Sequence, residues 1–265
     1  MAFAKNRNSR RSPLAAIFVI GIGLALTGGG YAAATATVEA TKPVSAAVDA
    51  VQVEEGKKLF LANCASCHGS NGEGTDAAPS LIGVGAAATE FQVATGRMPG
   101  QASGPQLEKK APQFTQEQTL QLAAYVGSLG DGPGIPTEAQ IMANGDSTRG
   151  GELFRINCAM CHNAVGAGGA LTEGKFAPSL KGVSALHVYE AMLTGPQNMP
   201  VFNDANLTPQ DKKDIITYLK FVEDNPSAGG YELAALGPVV EGLFAWVFAL
   251  GGIIAITIWL GAKSN

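Results

Sequence analysis

The chain has 265 residues, enough for two modest domains with membrane-embedded ends, and its 15% charged residues and 34 glycines suit small loop-rich domains rather than one large soluble core. A formal net charge of −4 excludes a nucleic-acid binder, which needs a clustered basic face. The charge is uneven: Lys5, Arg7, Arg10 and Arg11 crowd the start, and without them the rest carries about −8, an acidic surface suited either to meeting a basic docking site or simply to solubility.

The first predicted element is an apolar run from Leu14 to Leu26 behind that basic stretch, followed by Gly28-Gly29-Gly30 and an alanine-rich segment. This is the layout of an export signal, with Ala32-Ala33-Ala34 and Ala34-Thr35-Ala36 as small-x-small cleavage candidates. Apolar character continues to about Ala36, so the same segment, if kept, can span a bilayer of about 30 Å. Both alternatives place the downstream residues outside the cytoplasm. Residues 1–49 are thus a signal peptide or N-terminal anchor with a linker.

Two stretches then repeat in register. Gly56-Lys57-Lys58-Leu59-Phe60-Leu61-Ala62-Asn63-Cys64-Ala65-Ser66-Cys67-His68 is matched by Gly150-Gly151-Glu152-Leu153-Phe154-Arg155-Ile156-Asn157-Cys158-Ala159-Met160-Cys161-His162. Ala78-Pro79-Ser80-Leu81 is matched by Ala177-Pro178-Ser179-Leu180, and Met98-Pro99 by Met199-Pro200. Such self-similarity is one domain written twice. The expected domains are residues 50–130 and 148–226, joined by a linker over 131–147 that contains Asp131-Gly132-Pro133-Gly134-Ile135-Pro136.

Each half predicts the same elements. A short helix leads into Cys-x-x-Cys-His, with Phe60 and Cys64, and Phe154 and Cys158, on one helical face. A long Gly/Pro-rich loop leads on to Met-Pro, and a final helix with a central tyrosine, Tyr125 or Tyr218, closes the half. In the first half Thr115 and Gln118 form a capping-box pattern, Leu122, Val126 and Leu129 make the apolar stripe, and Gly130 stops the helix. In the second half Thr208 caps, Pro209 takes the first helical position, and Ile215, Leu219 and Val222 make the stripe. Residues 227–265 form the last region, in which Pro238 to Leu260 is apolar apart from Glu241 and long enough for one transmembrane helix. Trp259 beside Lys263 fits an interfacial anchor with its positive end on the cytoplasmic side.

Cys-x-x-Cys-His is the attachment signature of c-type haem: two thiols at a helix end reach the vinyl groups, and the adjacent histidine rises to the iron. A four-cysteine zinc site needs its two pairs about 15 to 20 residues apart and leaves the histidines unexplained. A thioredoxin-like pair needs a strand–helix context that is missing, and a disulfide across Cys-x-x-Cys staples little. The expected cofactors are therefore two covalently bound haems c, on Cys64 and Cys67 and on Cys158 and Cys161, with His68 and His162 as proximal iron ligands. His187 is the one histidine left, so two bis-histidine haems are impossible. Met98 is the only methionine of the first half, and Met199 holds the matching place in the second, so these are the favoured sixth ligands. Met142, Met160 and Met192 are the rivals, and His187 reads as a surface or packing residue. Pro79 and Pro178 offer backbone carbonyls to orient the histidines, and Tyr125 and Tyr218 offer hydroxyls.

On these residues each half resembles a class I cytochrome c domain, over about Val53 to Gly130 and Gly150 to Asn225. The resemblance implies a mainly α fold: two tandem class I cytochrome c domains, a C-terminal transmembrane helix and an N-terminal signal or anchor helix. The whole layout is similar to the di-haem cytochrome c subunit of actinobacterial cytochrome bc complexes. That family implies a subunit of a quinol–cytochrome c reductase in the plasma membrane, its haem domains on the extracytoplasmic side. It implies cytochrome b and a Rieske iron–sulfur protein as partners, with electrons passing to a cytochrome c oxidase in a supercomplex. The alternatives are an electron-transfer subunit of another oxidase or dehydrogenase, or a di-haem peroxidase, which would want one open iron.

Overall fold

The computed structural model describes residues 17–18, 20–29, 50–101, 105–225 and 238–263. The basic residues Lys5, Arg7, Arg10 and Arg11 and the cleavage candidates over Ala32–Ala36 lie outside the described residues. Residues up to Val44 form one unit and Ser45–Asn265 another. In the first, helix α1 covers Ile20–Gly29.

The second unit is mainly helical, and each repeat is built on a pair of helices crossing at a glycine. In the first half α2 (Ala50–Asn63) meets α5 (Gln116–Gly127). In the second, α7 (Ser147–Asn157) meets α10 (Pro209–Asp224). A Cβ at Gly56 would run into the Gln121 carbonyl, and one at Gly150 into the Asp214 carbonyl, so only glycine lets the backbones approach this closely. The aromatic pair one turn on fills the crossing. Phe60 packs on Tyr125 at 5.1 Å between ring centroids and Phe154 on Tyr218 at 5.5 Å. Around them lie two apolar clusters, one with Leu122 and Val126, the other with Tyr189, Met192 and Ile215.

The caps form as their residues dictate. Thr115 Oγ1 accepts from the Gln118 N–H at 3.2 Å while Gln118 Oε1 accepts from the Thr115 N–H at 3.0 Å. Thr208 closes the same box with Asp211, and Pro209 opens α10. The α5 helix ends at Gly127 rather than running to Gly130. Ser128 caps it, its N–H donating to Ala124 O at 3.1 Å and its hydroxyl to Tyr125 O at 2.6 Å. Leu129 still packs against the core from beyond the helix end.

Two further differences from the sequence expectation matter, both of them added helix. The loop before Met98 is not irregular throughout but carries α4 (Gly85–Ala94), matched in the second half by α9 (Ala185–Thr194). Alanine runs and a lone phenylalanine gave α4 little periodicity to read. The segment 131–147 contains a helical turn, α6 (Glu138–Ile141), with its own Thr137–Gln140 box. The only strands among the described residues are short: β1 (Gly169–Ala170) pairs antiparallel with β2 (Phe176–Ala177), with Gly169 opposite Ala177.

The halves touch along α4 and α9. A second tie comes from the loop after Met98. The Gln106 amide donates to the Phe176 carbonyl at 2.9 Å and accepts from its N–H at 2.9 Å, and the Leu107 N–H donates to Gln197 Oε1 at 3.3 Å.

Val239–Lys263 is 25 residues of helix, long and apolar enough to cross a membrane, with a mean hydropathy of 2.3. It comprises α11 (Pro238–Phe244), a π-helical segment over Ala245–Leu250, and α12 (Gly251–Lys263). Its apolar side chains point outward: Trp246, Phe248, Ile253, Ile258 and Trp259 are all exposed. The Lys263 ammonium sits 4.8 Å over the Trp259 ring, the cation–aromatic pairing of an interfacial anchor.

Candidate functional site

Each Cys-x-x-Cys-His lies at a joint between helices. Cys64 separates α2 from α3 (Ala65–His68), and Cys158 separates α7 from α8 (Ala159–His162), with φ of −120° and −123°. The joints are bonded alike. The Cys64 N–H donates to Phe60 O and that of Cys158 to Phe154 O, both at 2.8 Å. The His68 and His162 N–H groups return to the Cys64 and Cys158 carbonyls, both at 2.9 Å. The break presents both cysteines and the histidine within one helical turn.

After each histidine the chain must reverse, and a positive φ does this: Gly69 at 82° and Asn163 at 65°. The Gly74 N–H then donates to His68 O at 2.7 Å, and that of Gly168 to His162 O at 2.9 Å. The repeated Pro-Ser-Leu has a distinct task for each residue. Leu81 and Leu180 donate N–H to Gly72 O and Gly166 O, both at 2.7 Å, and the hydroxyls of Ser80 and Ser179 reach the same two oxygens at 3.2 and 3.4 Å. That anchoring fixes the preceding carbonyl. Pro79 O lies 2.8 Å from His68 Nδ1, and Pro178 O lies 2.9 Å from His162 Nδ1.

A carbonyl only accepts, so Nδ1 carries the proton in both rings and Nε2 keeps its lone pair for a metal. Both histidines are buried. Burial pushes the His162 pKa down, against a smaller upward pull from the Pro178 carbonyl, which favours the neutral imidazole.

None of the four cysteines is joined in a disulfide. Burial, with a lesser contribution from the neighbouring cysteine, pushes Cys64 and Cys158 up to about 11, while Cys67 is exposed. Met98 and Cys64 border the apolar cluster of the first half, and Met199 and Cys158 that of the second. Two rivals lie at the surface, and the third sits inside the second cluster. Met160 is 92% exposed, Met142 is 50% exposed, and Met192, 2% exposed, is core packing. The Tyr218 hydroxyl donates to Ala164 O at 2.9 Å, in the loop just after His162, whereas Tyr125 contributes its ring to Phe60. Thiols, a neutral imidazole nitrogen and a thioether around an apolar cluster form a donor set that fits a c-type haem in each half. A shallow cleft bounded by Val165, Leu180, Val188 and Leu219 touches none of Cys158, Cys161, His162 or Met199.

Sequence reasoning did not find the contact of His187. It stands on α9 with its Nε2 3.4 Å from Glu90 Oε2 on α4 and its ring edge-on to Phe91 at 6.0 Å. Glu190, one turn along α9, is fully buried. The His187-x-x-Glu190 spacing was there to read; the facing Glu90 was not, because it belongs to the other repeat.

Comparison with known proteins agrees with the duplication. Residues 53–130 match the family model described as cytochrome c, and residues 145–219 that described as cytochrome C oxidase, cbb3-type, subunit III. The chain is 44% identical to a cytochrome bc1 complex cytochrome c subunit of Corynebacterium efficiens, over 98% of this chain and 93% of that protein. It is 41% identical to the protein of the same description from Corynebacterium diphtheriae, over 98% of both chains. For Mycobacterium bovis the identity is 42%, over 91% of this chain and 89% of that protein.

Proposed function

The chain belongs to the cytochrome c subunits of the cytochrome bc1 complex, and from that premise we propose that it takes electrons from a Rieske iron–sulfur protein and delivers them to a terminal cytochrome c oxidase. In this reading Cys64 and Cys67 hold one haem c by thioether bonds, with His68 Nε2 and Met98 sulfur as iron ligands. Cys158, Cys161, His162 and Met199 do the same for a second. Haem c so ligated supplies a one-electron iron couple whose potential the methionine sulfur raises.

The rest is the work of the chain. The Pro79 and Pro178 carbonyls hold both imidazoles in one tautomer and one orientation. The two apolar clusters keep water from the donors. The Val239–Lys263 helix tethers both repeats to the plasma membrane, on its extracytoplasmic side, where cytochrome b, the Rieske protein and the oxidase are within reach. No bond chemistry is required of any side chain; the complex, a quinol–cytochrome c reductase, catalyses the reaction and this subunit carries its electrons.

The observation that carries the proposal is the pair of equivalent histidine–proline bonds, which leave one iron-binding nitrogen in each repeat. A pyridine-haemochrome assay with intact mass tests it: two covalent haems per chain are expected, and a colourless chain refutes it. Isolation in mild detergent tests the assignment to the complex, with cytochrome b and Rieske protein expected in the same particle. Rapid mixing with quinol then tests the route. Removing the Rieske protein should abolish reduction of this chain, and removing the oxidase should leave it reduced.

A further inference from the structure

Glu90, His187 and Glu190 meet where the two repeats touch, and none of the three is used in the function proposed above. Each offers one donor atom, and the three atoms lie within 4.8 Å of one another. Glu90 and Glu190 have relative exposures of 1% and 0%. Among the described residues no N–H or hydroxyl donor reaches either oxygen of Glu190, whose one hydrogen-bonding neighbour is the Glu90 carboxyl group. Glu90 Oε1 accepts from Gln116 Nε2 at 3.3 Å, whereas its Oε2, 3.4 Å from His187 Nε2, makes no hydrogen bond among the described residues. A buried carboxylate with no partner is costly, and two in one site repel each other as well.

We propose that Glu90, His187 and Glu190 bind one divalent cation of the zinc class that clamps the two haem-bearing repeats together. Several observations converge on this choice. Bonds of about 2.1 Å at a tetrahedral angle place two donors about 3.4 Å apart. That is the distance between His187 Nε2 and Glu90 Oε2. The remaining separations, up to 4.8 Å, close by small rotamer shifts of the glutamates.

His187 and Glu190 are three apart on α9, so both project from one face of the same helix. The T-shaped contact with Phe91 holds the imidazole on edge, pointing Nε2 across the interface. Two carboxylates and a neutral imidazole around a dication sum to zero charge, as a buried site requires. An imidazole among the donors selects zinc or a similar transition ion over calcium and magnesium, which take oxygen. Without a cation Glu190 holds a proton, since burial first and the neighbouring Glu90 second push its pKa up to about 10. Metal entry therefore releases that proton to solvent, and the balance is one dication taken up for one proton lost.

The test uses the full chain purified in detergent, with zinc counted by mass spectrometry against amino-acid analysis, so that it does not depend on the haem content. Equilibrium dialysis against buffered Zn2+ should give one zinc per chain, retained in excess Ca2+. Glu190→Gln and His187→Gln should each lower zinc affinity by about 100-fold. Glu190→Gln is the decisive variant, because an amide can donate to Glu90 and so preserves the contact between repeats while losing the ligand. Added zinc should raise the unfolding temperature of the native chain and leave that of Glu190→Gln unchanged. The proposal is overturned if the native chain retains no zinc, if both variants retain it as tightly, or if calcium displaces it. A chain that is metal-free and as stable as Glu190→Gln identifies a shared proton as the sole occupant, and that too overturns it.

Discussion

The first repeat and the second agree around the histidine and part company around the methionine. Between histidine and proline the second repeat is longer, with the partners 16 positions apart instead of 11, yet the bonds differ by only 0.1 Å, at 2.8 and 2.9 Å. The β1–β2 hairpin and its tight turn, with Glu173 at φ 59°, absorb the extra residues. In the first repeat only a single bridge, Thr75 with Ala78, stands at that place. The approach to the methionine is not copied. Arg97 is buried over the Phe91 ring at 4.9 Å before Met98, whereas Pro196, Gln197 and Asn198 precede Met199. The second repeat also buries Lys212, which donates to Asp204 at 2.6 Å and to Leu207 O at 2.8 Å. The histidine side is thus a fixed frame, and the methionine side is where two copies of one domain have room to differ.

The largest test of this comparison removes one frame at a time. Cys64→Ala with Cys67→Ala, or Cys158→Ala with Cys161→Ala, should halve the pyridine-haemochrome yield, and the surviving spectrum should identify which centre remains. Next in size, Met98→Leu and Met199→Leu should each lower the midpoint potential of a single centre in a redox titration, with Met142→Leu and Met160→Leu silent.

Gly56→Ala and Gly150→Ala push each helix pair apart and should cost about 2 kcal/mol apiece, by calorimetry. Equal losses would mean that the crossings are equivalent; unequal losses would break the likeness. Asp204→Asn removes the counter-charge of the buried Lys212 ammonium, which keeps its bond to Leu207 O, so the second repeat should lose about 1 kcal/mol in denaturant while the first is unmoved. The gentlest probe reads the seam between the halves. In chelator-treated chain Glu190 keeps its proton when folded and loses it when unfolded, so the folded state binds more protons above the ordinary carboxylate range. The contribution of Glu190 to stability should then be full below about pH 4.5 and decline as pH rises toward about 10, with that slope lost in Glu190→Gln.

How much the sequence disclosed depends on how local each signal is. Gly56, Phe60, Cys64 and His68 occupy one short helical stretch and recur in register, so their common geometry could be read without coordinates. The acceptor role of Pro79 and Pro178 was legible for the same reason: each sits at the same place in a repeated Pro-Ser-Leu. The Thr115 box was written in its own four residues, but the early stop of α5 was not, because a Ser128 cap looks like any surface serine. Helix α4 was hidden by Ala86-Ala87-Ala88, which suits a helix but marks no face. The junction of Glu90 with His187 and Glu190 was beyond local reading altogether, since it depends on how two finished domains pack.

The partner of each histidine is main chain, and of a residue whose ring nitrogen has no hydrogen to give. A carboxylate in that position would gain and lose its own proton with the acidity of the surroundings, and the imidazole would become a stronger or weaker donor accordingly. An amide oxygen has no such equilibrium anywhere near physiological conditions. Nor can a change of side chain at Pro79 or Pro178 delete it, as long as the loop keeps its path. Each imidazole therefore faces an acceptor whose charge stays the same whether the surroundings are acidic or neutral.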